Sequence, residues 1–368
     1  MALLKIAGFD VYRFRIPFVS PIKVGNIVLY NREGFIVVLT DQQGRHGFGE
    51  IAPLPGWDYA SLEQCRNDLS FLREIIGKDS FKTDYFNLTS SVFGLMTLPK
   101  AMNTHTLFGL ESALLSLYVQ EAPLNLPDPM NVPVNGLFIP DPKDEQASAQ
   151  IQTLLARGLK TIKVKIGRLP EDVEMRQILR LADALGDNLR LRLDGNQSLS
   201  AQAYDRYFTA LGHLNVEYAE EPLNEEASST SSKVPWPLAL DESLPRYLDP
   251  VYPDLSRLPS DIRTVILKPG LLAGLSGMAV FITNAKRRNI QTVLSSAFNT
   301  GIGIVILGVL SRLAGISPDT ACGFDTLRYL QADVVTQSPV VSDGSLAISR
   351  SLFIDMSLNF GVLSREDL

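Results

Sequence analysis

The sequence predicts an α/β fold: a (β/α)8-type, TIM-like barrel preceded by a smaller α+β domain. Three observations carry this. From about residue 132, short apolar strands alternate with helical segments at the spacing of a β-α unit, which implies parallel strands. The first 130 or so residues lack that alternation and read as strands followed by helix. At 368 residues the chain accommodates a barrel of about 250 residues and an appendage.

In the first domain, residues 1–130, "GFDVYRFRIPF", "REGFIVVLTD" and "GRHGFGEIAPL" are strand-like with turn residues between them, and "SLEQCRNDLSFLREIIG" has helical spacing. The barrel, residues 131–325, contributes "VPVNGLF", "TIKVKIG", "LRLRLDG", "NVEYAEEP", "WPLALDES", "RTVILKPG" and "QTVLSSAF" as seven strands. An eighth is expected near Cys322 to Phe324. The Ser-rich "EEASSTSSK" at 225–233 reads as a loop, and residues 326–368 as a C-terminal segment packing back on the first domain.

With 45% hydrophobic and 20% charged residues the composition is that of a soluble globular protein, and a net charge of −6 argues against nucleic acid or an anionic membrane as partner. A small-molecule carboxylate substrate fits better. Cys65 and Cys322 stand far apart and outside any zinc or disulfide spacing. The start "MALLKIAGFDVYRFRIPF" lacks the apolar core of a signal peptide, and the most apolar run, "GIGIVILGVL" at 301–310, is well short of the roughly 20 residues that span a bilayer. The expected location is cytoplasmic. Oligomeric state is not read from the sequence.

In "TIKVKIG", Lys163 and Lys165 lie two apart and project to one face of an otherwise buried strand. A parallel barrel places its active site at the C-terminal ends of its strands, so the polar residues that close each apolar run are the informative ones. In order these are Lys163 and Lys165, Asp194, Glu220, Asp241, Lys268, and Ser295 with Ser296. A lone Asp-Gly is usually a turn, a Ser-Ser pair before a helix usually a cap, and Glu221 beside Glu220 is read as capping or solvating a loop. Polar groups at comparable positions of successive strands are not explained by independent turn chemistry. Three carboxylates without histidine or cysteine make an all-oxygen site suited to Mg2+ or Mn2+. Such an ion would hold a substrate carboxylate and stabilise the ene-diolate formed when the adjacent proton is removed, with a flanking lysine as base.

The series KxK, Asp, Glu-Glu-Pro, Asp-Glu-Ser and Lys-Pro resembles the enolase superfamily in its muconate-lactonizing subgroup, and the chain is most similar to the o-succinylbenzoate synthase family. The closer likeness rests on "GFGEIAPLPGW" at 47–57, "LFGLESALL" at 107–115, "LRLDGN", "ALDESL", "VLSSAF" and "GFDTLRYLQAD" at 323–333. It implies an enolase-like fold whose N-terminal domain caps the barrel. It also implies that Asp194, Glu220 and Asp241 bind Mg2+, that Lys165 is the acid/base, and that Lys268 stabilises the ring intermediate from the opposite face. Lys163, Arg192 and Asn196 match family positions near the site and take supporting roles. The succinyl tail would meet Ser295 and Ser296 and the N–H groups of the following helix start, while "FVSPIKVGN" and "APLPGWD" would close over the mouth. The implied reaction is a syn dehydration to 2-succinylbenzoate. N-acylamino acid racemases and muconate cycloisomerases use nearly the same residues; dipeptide epimerases carry a late Asp-x-Asp that "CGFDTLRY" lacks. A non-catalytic carboxylate-binding barrel would not need every core position intact. Where the family places a glutamate after the serines, this chain has "FNTGIG" with Asn299.

Overall fold

The computed structural model describes residues 5–57, 60–76, 102–121, 127–228, 235–248 and 255–368. Strands β1 (Ile6–Val24), β2 (Ile27–Asp41) and β3 (His46–Ile51) form an antiparallel meander. Alternation along β1 buries Phe14, Ile16 and Phe18 and exposes Arg13, Arg15 and Pro17, so the sheet has two working faces. One face, with Val11, Phe35, Val37 and Leu39, packs on helices α1 (Leu62–Ile75) and α2 (Thr104–Glu121). The other, with Phe14, Ile16, Ile36 and Phe48, packs on Ile302, Leu330, Val334 and Val335 beside the barrel. Helix α1 begins where "SLEQ" predicts it, with a reciprocal capping box between Ser61 and Gln64. Helix α2 crosses β3 so closely that a Cβ on Gly49 would meet the Gly109 carbonyl at 1.8 Å.

The predicted first barrel strand is divided. Residues Met130–Pro133 form β4, outside the barrel, and Asn135–Phe138 form β5, within it. After α3 (Asp144–Ala156) come β6 (Thr161–Lys165), α4 (Glu171–Leu185), β7 (Arg190–Asp194), α5 (Ala201–Leu211) and β8 (Val216–Glu220). A single helical turn, α6 (Glu225–Ser228), replaces the start of the expected Ser-rich loop, whose remainder at 229–233 lies outside the described residues. Then follow β9 (Leu238–Leu240), β10 (Ile262–Leu267), α7 (Pro269–Leu272), α8 (Gly274–Arg287), β11 (Gln291–Leu294) and α9 (Gly301–Leu313). Strands β5 to β11 form one parallel seven-stranded sheet in sequential order. Its two edges are joined by residues 322–323, where Cys322 bridges Val134 and Gly323 bridges Ser295, both in parallel. The eighth strand is thus reduced to a two-residue link.

The apolar run at 301–310 is the buried helix α9, and among the described residues no helix is long and apolar enough to cross a membrane. Beyond the barrel, β12 (Val341–Ser342) and β13 (Ser345–Ile348) add to β4, α10 (Arg350–Ile354) follows, and β14 (Leu363–Arg365) pairs antiparallel with β1.

A buried carboxylate joins the two layers. Glu111 of α2 accepts from the Leu275 N–H at 2.6 Å, the Ser276 N–H at 3.2 Å and the Ser276 hydroxyl, and so caps α8 from another domain. Burial pushes its pKa from 4.5 up to about 7, against the pull of those donors. The folded chain therefore binds this proton more tightly than the unfolded chain. The stability it contributes is complete below pH 4.5 and is lost as pH rises through about 7. Glu111→Gln abolishes that titration. The stability of the unsubstituted protein minus that of Glu111→Gln, read by urea unfolding, is expected to fall by roughly 3 kcal/mol from pH 4.5 to about 8; a difference that stays flat with pH would overturn the assignment.

Candidate active site at the barrel mouth

The barrel interior is built by two-residue periodicity. Tyr218, Ala239, Ile266 and Val293 form an apolar plug, and two residues further along each strand lie Glu220, Asp241, Lys268 and Ser295. On the neighbouring strands Lys163 and Arg192 occupy the lower level and Lys165 and Asp194 the upper. Lys165, Asp194 and Glu220 are direct cross-strand partners, which makes one row of a lysine and two acids. The alternation in "TIKVK" is thereby explained: both lysines face acids, and their side chains remain 19% and 21% exposed at the rim.

Lys163 Nζ donates to Asp194 Oδ2 and Glu220 Oε1, each at 2.6 Å. Lys165 Nζ donates to Asp194 Oδ2 at 2.7 Å and to Asn196 Oδ1 at 2.6 Å. On the far side Lys268 is ion-paired with Asp241, and the Trp57 ring from "APLPGW" lies over its ammonium at 3.9 Å. Asp58, at the end of that segment, lies outside the described residues. Asn196 also donates to Glu242 at 3.3 Å.

The electrostatics follow from packing four acids beside three lysines. Burial disfavours the Lys163 ammonium, but the charges of Asp194, Glu220 and Asp241 outweigh it and hold the proton firmly. Burial likewise works against ionised Asp194, and the two lysines overcome it, leaving the carboxyl well below its ordinary range. Glu220 goes the other way. Burial, with the nearby charges of Asp194 and Asp241, pushes it up to about 8 despite Lys163. Glu242 is pushed up to about 7 by burial and then by the Asp241 and Asp194 charges.

Among the described residues, no three such donors stand close enough together to enclose an ion as placed, because ammonium groups lie between them. The residues nonetheless suit a hard divalent cation. All three donors are carboxylates, and Glu220 Oε2 is buried without a hydrogen-bond partner among the described residues. A proton or a cation would satisfy that oxygen.

Two of the sequence-predicted residues have other engagements. Arg192 reaches away from the acids: its guanidinium donates to Glu217 at 2.8 Å, Asn135 at 3.1 Å and the Ala321 carbonyl at 2.8 Å. A register shift in β8 next to Glu217 turns that carboxylate toward it. The Ser296 hydroxyl accepts from the Asn299 N–H at 2.9 Å and from Thr326 at 2.7 Å. Ser295 lines a narrow cleft with Lys268, His105 and Asn299. The start of α9 does not offer its amides to a substrate, as the sequence suggested, since Thr300 and Gly303 donate to Glu50 and Gly301 to Asp333.

Sequence reasoning undervalued Glu221 and Glu174. Glu221 Oε1 accepts from the Asp241 and Ser243 N–H groups, both at 2.9 Å, and from the Ser243 hydroxyl at 2.6 Å, so it sets the Asp241 turn. The Glu-Glu doublet was the available signal. Glu174, fully buried, accepts from the N–H groups of Gly167, Arg168 and Leu169 at 2.7–2.8 Å and from the Tyr207 hydroxyl, which fixes the loop after Lys165.

The chain is similar to curated o-succinylbenzoate synthases from Citrobacter koseri, 28% identical over 92% of this chain and 98% of that protein, and from Vibrio cholerae, 29% identical over 89% and 92%. Its fold is similar to that of a muconate lactonizing enzyme from Pseudomonas fluorescens, with a TM-score of 0.71 at 18% identity over 97% and 98% of the two chains. Residues 6–100 match the MenC N-terminal domain. Residues 146–351, which include every lysine and carboxylate of the mouth, match the enolase C-terminal domain-like family over more than half of the 368 residues, and the chain belongs to that family.

Proposed function

We propose that the chain is an o-succinylbenzoate synthase, a hydro-lyase acting on 2-succinyl-6-hydroxy-2,4-cyclohexadiene-1-carboxylate, in a step toward menaquinone or phylloquinone. The observation that carries this reading is Lys165 and Lys268 at opposite sides of one mouth with three carboxylates between them. The likeness to curated synthases over about nine-tenths of the chain supports the substrate.

Asp194, Glu220 and Asp241 would hold Mg2+ or Mn2+. When bound, that ion supplies positive charge against the negative charge that grows on the substrate carboxylate as its α proton leaves. Lys165 takes the α proton at Nζ and returns it to the ring hydroxyl on the same face, so the products are the aromatic ring and water. Asn196 and Asp194 fix the direction of Nζ. Lys268, ion-paired with Asp241, offers its ammonium to the opposite face of the ring. Lys163 acts electrostatically through Asp194 and Glu220, Arg192 acts by bracing the lower layer of the barrel, and Ser295, in the cleft beside Lys268, would meet the succinyl tail.

A spectrophotometric dehydration assay with and without excess chelator tests the reading. Metal-dependent turnover is expected; a metal-binding protein without turnover would redirect the substrate to N-acylamino acids.

A further inference from the structure

Two buried charges of the N-terminal domain direct their hydrogen bonds to the turn that follows Ser295. Arg32, 1% exposed, donates from Nε to the Phe298 carbonyl at 3.1 Å and from its other nitrogens to the Ala52 and Pro53 carbonyls. Glu50, also 1% exposed, accepts at Oε1 from Asn299 Nδ2 at 3.0 Å. Its Oε2 accepts from the Thr300 N–H at 3.0 Å, the Thr300 hydroxyl at 2.6 Å and the Gly303 N–H at 3.0 Å. Residue 303 must be small here, since a Cβ would meet Oε2 at 2.5 Å.

The turn that these groups hold is not a relaxed one. Phe298 has φ of +58°, a left-handed conformation that a bulky residue keeps only when its surroundings enforce it. Asn299 passes the constraint on: its Oδ1 accepts from the Ala297 N–H at 3.1 Å and the Ser296 hydroxyl at 3.2 Å. A continuous path therefore runs from β3 through Glu50 and Asn299 to the residues next to Ser295. Helix capping alone would account for the Thr300 and Gly303 bonds but not for those to Asn299 and Phe298.

We propose that Glu50, assisted by Arg32, is a positioning residue for the reaction: acting from the capping domain, it fixes the 296–299 turn and thereby sets Ser295 against the substrate tail. Recognition of the tail is then coupled to the seating of the capping domain on the barrel. The catalytic part of this statement rests on the proposed function; the mechanical part does not.

Glu50→Gln tests it in the full-length protein. The single amide oxygen replaces Oε2, while its NH2 group faces the Asn299 NH2, donor against donor. Amide exchange over residues 296–303 is expected to rise about tenfold or more, with strands 161–165 and 190–194 unchanged. KM for the cyclohexadiene carboxylate should rise about tenfold and kcat change less than about threefold, a split that global destabilisation does not produce. Adding Asn299→Asp restores a donor-acceptor pair and should return both readouts most of the way. If Glu50→Gln does not fold, Asn299→Ala removes one bond to Glu50 and serves the same comparison. Exchange and KM within about twofold of the unsubstituted protein, or a double variant no closer to it than Glu50→Gln, would overturn the proposal. If the unsubstituted protein does not turn over this substrate, the functional reading fails and the exchange measurements still decide the clamp.

Discussion

Lys165→Ala is expected to lower kcat for the dehydration by roughly 10^4-fold while the folded, metal-responsive protein persists. General acid-base catalysis contributes about 10^2–10^4-fold, and the upper end applies because one nitrogen would serve twice, first accepting the α proton and then delivering it to the departing hydroxyl. The fold survives for a local reason. Asp194, which loses Lys165, keeps the Lys163 ammonium at 2.6 Å and remains a paired charge. Asn196 keeps its N–H bond to Asp194 at 3.1 Å, so the turn after β7 is still held. Lys165→Arg should fail nearly as badly, since a guanidinium does not release its proton. Unchanged thermal stabilisation by Mg2+ in both variants would show that the site is otherwise intact. Activity of Lys165→Ala within about tenfold of the unsubstituted protein would remove Lys165 from the acid/base role.

The parts of this site that were legible in the sequence obey local rules. Strand periodicity alone puts Lys163 with Lys165, and the end-of-strand rule of parallel barrels places Asp194, Glu220, Asp241 and Lys268 around one opening. What the sequence does not disclose is which hydroxyls and amides are already taken. Ser295 and Ser296 are equivalent as letters, yet Ser296 is tied to Asn299 and Thr326. The helix start at 300–303 looks open to an anion until Glu50, some 250 positions earlier, is placed against it. The same holds for the first barrel strand, which reads as one apolar run. Its first half, Met130–Pro133, pairs with β13 outside the barrel, while Asn135–Phe138 pairs with β6 and Val134 bridges Cys322 within the ring. Long-range partners decide these cases, and no pattern within one segment encodes them.

Glu220→Gln is the second large effect, and it separates a metal site from a merely polar one. Because burial and the charges of Asp194 and Asp241 push Glu220 up to about 8 against the pull of Lys163, its carboxyl takes up a proton far more readily than an ordinary one while no cation is bound. A glutamine has nearly the same shape and charge as that protonated form, and its oxygen can still accept from Lys163. Metal-free stability should therefore change by no more than about 1 kcal/mol. Cation binding is another matter, since a divalent ion needs the ionised carboxylate and displaces its proton. For the unsubstituted protein, Mg2+ at a hundredfold excess over Kd adds about 2.7 kcal/mol, which should raise Tm by roughly 3–4 °C for a chain of 368 residues. The same addition should leave Tm of Glu220→Gln nearly unmoved. Turnover should fall by roughly 10^3-fold or more, in keeping with the several kcal/mol that a bound cation supplies. An equal rise of Tm in both proteins would mean that the cation binds elsewhere and that these three acids serve only to hold the lysines. A large loss of metal-free stability would mean that Glu220 is ionised in the folded chain and that its pairing with Lys163 is structural. The predicted combination, an unaltered metal-free fold with neither metal response nor activity, is one that neither a structural ion pair nor a remote metal site would give.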